Sequence, residues 1–156
     1  MSATSHIKYL LLSREFYISY KAIVSSFPQI VDKFHVKYTL VCKSIEYLLK
    51  SLLLFGGKSE RELKNEYGHD LEKLLTAVID AGIDKQLDVN FTHEFKSVLV
   101  SLNAYYKSKD FEYPSTGSKT VTLYIQLNEP IEVLLTKMEV FYRSDLHQKR
   151  VAKDTK

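Results

Sequence analysis

Apolar residues recur along most of this chain at steps of three and four, the spacing that places them on one face of an α-helix. The first stripe, Ile7, Leu10, Leu11, Tyr17, Tyr20, Val24 and Phe27, predicts a helix from about His6 to Ser26, ended by Pro28. The second stripe is denser. From about Asp32 to Phe55, the residues Phe34, Val41, Ile45, Leu48, Leu52 and Phe55 share a face, flanked by Tyr38 and Leu49, and Gly56-Gly57 supplies a left-handed cap. A further line, Val36, Leu40, Tyr47 and Leu54, lies about 200 to 240 degrees round from Phe34 on a helix that advances about 100 degrees per residue. A helix apolar on two sides belongs at the centre of a bundle or against a second chain.

Beyond the double glycine, Ser59 with Glu62 three residues later forms a capping-box pattern and predicts a short helix ending at Gly68. Asp70 opens the next helix, with Leu71, Leu74, Leu75, Val78 and Ile79 facing inward and Gly82 stopping it. A longer one is expected from about Thr92 to Lys107 on the stripe Phe95, Val98, Leu99, Leu102 and Tyr105. The polar stretch KSKDFEYPSTGSKT reads as a loop. Val121, Leu123, Ile125 and Leu127 then alternate as in a strand, but no second strand candidate exists to pair with them, so an extended or helical lead-in is expected. The last helix, from about Glu129 with Pro130 in its first turn, carries Ile131, Leu134, Leu135, Met138, Phe141 and Tyr142. The predicted fold is all-α, an antiparallel up-and-down bundle of about five helices forming one domain over residues 1–148, followed by a basic tail over 149–156.

Composition narrows the function classes. The 156 residues suit a single domain with a proper core, and 26% charged against 45% apolar residues is ordinary globular composition. The longest apolar run, Tyr47 to Phe55, is interrupted by Lys50 and is far shorter than the roughly 20 residues of a spanning helix, so no membrane partner is expected. The first residues do not read as a secretory leader, and the single cysteine, Cys42, allows no intrachain disulfide; both favour a cytoplasmic setting. A formal charge of +3 is too small for a dedicated DNA-binding domain. The local excess lies at the end, where Arg143, Lys149, Arg150, Lys153 and Lys156 face only Asp145 and Asp154, as a solubilising tail or a contact for RNA phosphates.

Chemistry concentrates in two places. Glu46 and Lys50 are spaced for an i, i+4 ion pair, with Lys43 one turn earlier; on an exposed face such a cluster serves solvation, but here it lies beside the second apolar line. Asp70 is placed to cap free amides at a helix start, and His69 to donate into a neighbouring helix or to face solvent as a ligand or acid–base group. Arg14 falls within an apolar stripe and needs a carboxylate, for which Glu46 is the expected partner. His6, His35, His69, His93 and His147 are scattered, so no metal site is expected, and without a glycine-rich phosphate loop no cofactor is expected either. The eleven tyrosines fall mostly on helical stripes, as core-edge residues rather than base-stacking platforms.

Three segments, KYTLVCKSIEYLLKSLLLFGG, NEYGHDLEKLL and DFEYPS, together resemble the HEPN family, the higher eukaryote and prokaryote nucleotide-binding domains. The shared pattern is Glu-x-x-x-Lys on an apolar helix (Glu46, Lys50), a Gly-His-Asp-Leu turn (Gly68 to Leu71) and a Tyr-Pro loop (Tyr113, Pro114). That resemblance implies an antiparallel helical bundle, a homodimer, a nucleotide or RNA ligand, and a nucleotidyltransferase or antitoxin partner in a toxin-antitoxin or defence system. Its ligand-binding residues here would be Lys43, Glu46, Lys50, His69 and Asp70. Many members are metal-independent ribonucleases carrying an arginine followed, after four to six residues, by a histidine near the last helix. The nearest match, Arg143 to His147, has three residues between, and Arg61 to His69 has seven. A noncatalytic binding module is therefore the expected class, with an RNA-cleaving toxin using Arg143 and His147 as the alternative.

Overall fold

A computed structural model describes residues 5–26, 34–111 and 125–154, with side chains described over 5–26, 35–111 and 127–144. Among the described residues the chain forms seven helices and no strand. These are α1 (Ser5–Ser26), α2 (Phe34–Phe55), α3 (Glu60–Glu62), which runs into a π-helical turn over Leu63–Tyr67, α4 (Leu71–Asp80), α5 (Ile83–Gln86), α6 (His93–Tyr106) and α7 (Ile125–Asp154). The fold is an all-α bundle.

Its directions follow from which residues meet. On α1 and α2, Ser13 meets Ser44 while the carbonyl of His6 meets Ser51, so one helix descends as the other rises. On α2 and α6, Glu46 meets Tyr106 while Tyr38 stacks on Phe111 just beyond the end of α6, again antiparallel. α7 lies antiparallel to α1: His6 packs on Tyr142, and Tyr17 donates to Glu132 at 2.8 Å.

The two apolar lines of α2 are explained by its central position. Val41, Ile45, Leu48, Leu49, Leu52 and Leu53 are buried among α1, α4 and α6. Of the second line, Tyr47 is covered by Tyr9 and Phe16 of α1, and Leu40 and Leu54 pack partly against the core, while Val36 stays 51% exposed. α1 therefore supplies the cover for Tyr47. On α1 itself Leu10, Tyr17 and Tyr20 point inward, but Leu11 is 52% exposed and Ser13 takes the inward place beside Ser44, because two small hydroxyls let the helices approach closely there.

Local signals set most boundaries. The capping box at Ser59 forms in full, the Ser59 hydroxyl accepting from the Glu62 amide while the Glu62 carboxylate accepts from the Ser59 amide. Thr92 and Asp70 cap α6 and α4 through their side chains. The start of α7 corrects the sequence reading. It begins at Ile125, so Pro130 lies inside the helix rather than in its first turn. A proline there forgoes one amide bond, but Leu127 and Ile131 are fully buried, and their packing holds the extra turn in helical form. Phe27, Pro28, Val121, Leu123 and the Tyr113-Pro114 loop lie outside the described residues.

Candidate functional site

Glu46 sits in the middle of α2 and is only 3% exposed, with Lys50 one turn on at 8%. The pair that spacing placed beside the second apolar line is thus inside the protein rather than on a solvated face. A carboxylate in such a place needs donors for its lone pairs, and three converge on it. Lys50 Nζ donates to Oε1 at 2.5 Å; the Tyr106 hydroxyl donates to Oε2 at 2.5 Å; His69 Nδ1 lies 3.0 Å from the same Oε2. Burial by itself raises the carboxyl's proton affinity, but the Lys50 ammonium, then the Tyr106 hydroxyl and the His69 ring, outweigh it and hold Glu46 below its ordinary range. Burial, followed by the Glu46 charge, pushes the Tyr106 hydroxyl far above the usual phenol range, so it remains a proton donor.

His69 belongs to a turn whose shape is set by its neighbours. The π-helical turn ends at Gly68, whose φ of 55° and ψ of −116° lie where a side chain is strained. Asp70 follows as N-cap of α4, its Oδ1 accepting from the Lys73 amide at 3.1 Å. From α6, Asn103 reaches the same turn: its Oδ1 accepts from the Leu71 amide at 2.8 Å and its Nδ2 donates to Asp70 Oδ1 at 2.9 Å. Desolvation raises the Asp70 carboxyl's proton affinity, but the Asn103 and Lys73 hydrogen bonds outweigh this and hold it below its ordinary range. Lys107 Nζ lies 3.8 Å from Asp70 Oδ2. The His69 ring meets Tyr106 edge-on and its side chain is 47% exposed, so one side is clamped and the other open. Next along the chain, Asp70 lines an open cleft of about 480 Å³ together with Tyr67, Glu72, Lys73, Thr76 and Asp80; His69 is not part of its lining.

The structure thus brings together Glu46, Lys50 and His69 directly, with Asp70 joined to them through the turn and α6. Lys43 lies three residues before Glu46 on α2 and is half-buried. Arg143 is exposed on α7 and is not part of the cluster. It follows Tyr142, whose hydroxyl bonds the Ser51 carbonyl, and Ser51 lies about 140 degrees round α2 from Glu46. His147 falls within α7, but its side chain lies outside the described residues. Arg14 pairs with Glu139 at 2.9 Å rather than with Glu46, because α1 turns that position toward α7 and water. Among the described residues no group of His, Cys, Asp or Glu is arranged to hold a metal.

Sequence reasoning missed Asn103 and Tyr106. Their signal was present: Leu99, Asn103 and Tyr106 continue one helical face at steps of four and three, and a polar residue on that face needs a buried partner. The stripe drawn through Tyr105 instead selected a half-buried residue at the edge. Comparison of the chain with protein-family models, with curated proteins and with solved structures finds no match.

Proposed function

We propose that this chain is a HEPN-like binding module that takes a nucleotide or RNA at the His69–Asp70 turn, as a homodimer working with a nucleotidyltransferase or antitoxin in a toxin-antitoxin or defence system. One observation supports the reading above all others. Glu46 of the Glu-x-x-x-Lys segment and His69 of the Gly-His-Asp turn, 23 residues apart, meet at 3.0 Å. Two of the three segments that carry the resemblance thus meet, half-open to solvent, with a cleft lined by the next residue, Asp70. A buried carboxylate held by three donors behind a half-exposed imidazole is a rigid ligand contact, since the ring pays little to be ordered on binding.

The test is fluorescence anisotropy with a labelled oligoadenylate, with AMP as competitor. His69→Ala is expected to weaken binding by about 2- to 10-fold, the loss of one hydrogen bond, while His147→Ala leaves it unchanged. Absence of binding by the parent would refute the nucleotide reading. RNA cleavage without metal, leaving a 2′,3′-cyclic phosphate and abolished by His147→Ala, would replace the binding module by the ribonuclease alternative. No helix among the described residues is long and apolar enough to cross a membrane.

A further inference from the structure

We infer that Asn103 is the positioning residue that, with Glu46, locks His69 in its Nδ1–H tautomer, so that Nε2 faces the ligand as a hydrogen-bond acceptor for a ribose hydroxyl. The ribose assignment rests on the nucleotide reading above; the tautomer does not.

The steps are chemical. An ionised carboxylate accepts hydrogen bonds and donates none. Lys50 and Tyr106 keep Glu46 in that state, so the ring nitrogen 3.0 Å from Oε2 carries the hydrogen, and in the neutral ring the lone pair is left on Nε2. That nitrogen lies on the side of the ring away from Glu46, in a side chain that is 47% exposed. The cleft that Asp70 lines, next along the chain, is rich in acceptors as well, with Asp70, Glu72, Thr76 and Asp80 against Lys73 and the Tyr67 hydroxyl. Such a surface suits a ligand group that donates hydrogen bonds, as sugar hydroxyls do, more than a phosphate.

Asn103 enters because a side-chain tautomer is only as fixed as the backbone that aims it. Both ends of its amide hold the exit of the turn, one accepting from the Leu71 amide and the other donating to the Asp70 carboxylate, from a position 1% exposed on α6. Without it the segment following Gly68 loses its two hydrogen bonds to α6 and keeps only the Tyr106 ring edge and the exposed Lys107 pair there, so the aim of the His69 ring at Oε2 loosens. A 2′-hydroxyl also distinguishes RNA from DNA, so this one contact gives the site sugar discrimination.

Two measurements test the inference on the full chain. In the first, nitrogen-15 NMR of labelled histidine at pH 8 reads the tautomer; the parent is expected as Nδ1–H and Asn103→Ala as a mixture with folded circular dichroism. Asn103→Asp, which keeps the acceptor for Leu71 but sets a repelling oxygen against Asp70, gives the same loosening if the alanine variant does not fold. An Nε2–H ring in the parent, or an unchanged tautomer in a folded Asn103 variant, overturns the positioning role. In the second, a single-stranded oligoadenylate is expected to bind about 2- to 10-fold more tightly than its 2′-deoxy counterpart, and His69→Ala to bring the two together. Equal binding of both strands by the parent overturns the ribose contact while sparing the nucleotide reading; binding of neither overturns both.

Discussion

Removing the Glu46 carboxylate should be the most destabilising single change at this site. Glu46→Ala leaves Lys50, whose side chain is 10% exposed, without its counter-ion, and leaves the Tyr106 hydroxyl, 60 residues away in sequence, without an acceptor. Breaking a buried ion pair from one side costs about 3–5 kcal/mol. For a domain of this size that lowers Tm by about 6 to 20 °C. The charge itself is not what the fold requires. Glu46→Leu combined with Lys50→Met replaces the pair by apolar groups and should recover most of the loss, leaving about 1–3 kcal/mol for the stranded Tyr106 hydroxyl. Adding Tyr106→Phe should remove that remainder. Urea unfolding followed by circular dichroism measures the series. If Glu46→Ala costs under 1 kcal/mol, or if the Glu46 and Lys50 changes add without coupling beyond about 0.5 kcal/mol, the account of a desolvated, interdependent cluster is wrong.

The same carboxylate sets an acid limit: because its folded proton affinity is depressed, its stabilisation is present above the ordinary value of 4.5 and is lost as pH falls below that through the lower folded value. The Glu46→Leu, Lys50→Met variant should therefore lose less stability than the parent across that acid window in pH-dependent urea titrations. Gly68→Ala places a side chain at φ 55° and ψ −116°, which should cost about 1–3 kcal/mol by thermal unfolding and displace His69 from Glu46; an unchanged Tm would show that the turn is not held as described. Arg14→Ala should cost no more than about 1 kcal/mol, because its pair with Glu139 is exposed to solvent; a larger loss in urea unfolding would mean that the stripe position matters for packing.

The sequence alone determined the helical class, because period and punctuation are local properties. The spacing of Val41, Ile45, Leu48 and Leu52, the Ser59 capping box and the Asp70 cap each act within a few residues, and each forms where the pattern placed it. Spacing also brought out Glu46, Lys50 and His69 as residues of interest. What it could not fix was which side of each helix would be covered, and by what. The spacing of Glu46 and Lys50 fits a surface pair as well as a buried one until α4 and α6 are packed against α2, and Arg14 finds Glu139 only because α7 lies beside α1. Burial of Leu127 and Ile131 on either side of Pro130 favours the helical over the extended form of the lead-in to α7. The site itself was decided by tertiary structure: its carboxylate comes from α2, its imidazole from the turn before α4, and its two fixing residues, Asn103 and Tyr106, from α6. Contacts across 23 to 60 residues depend on how helices dock, and docking is settled by the whole core rather than by any one segment.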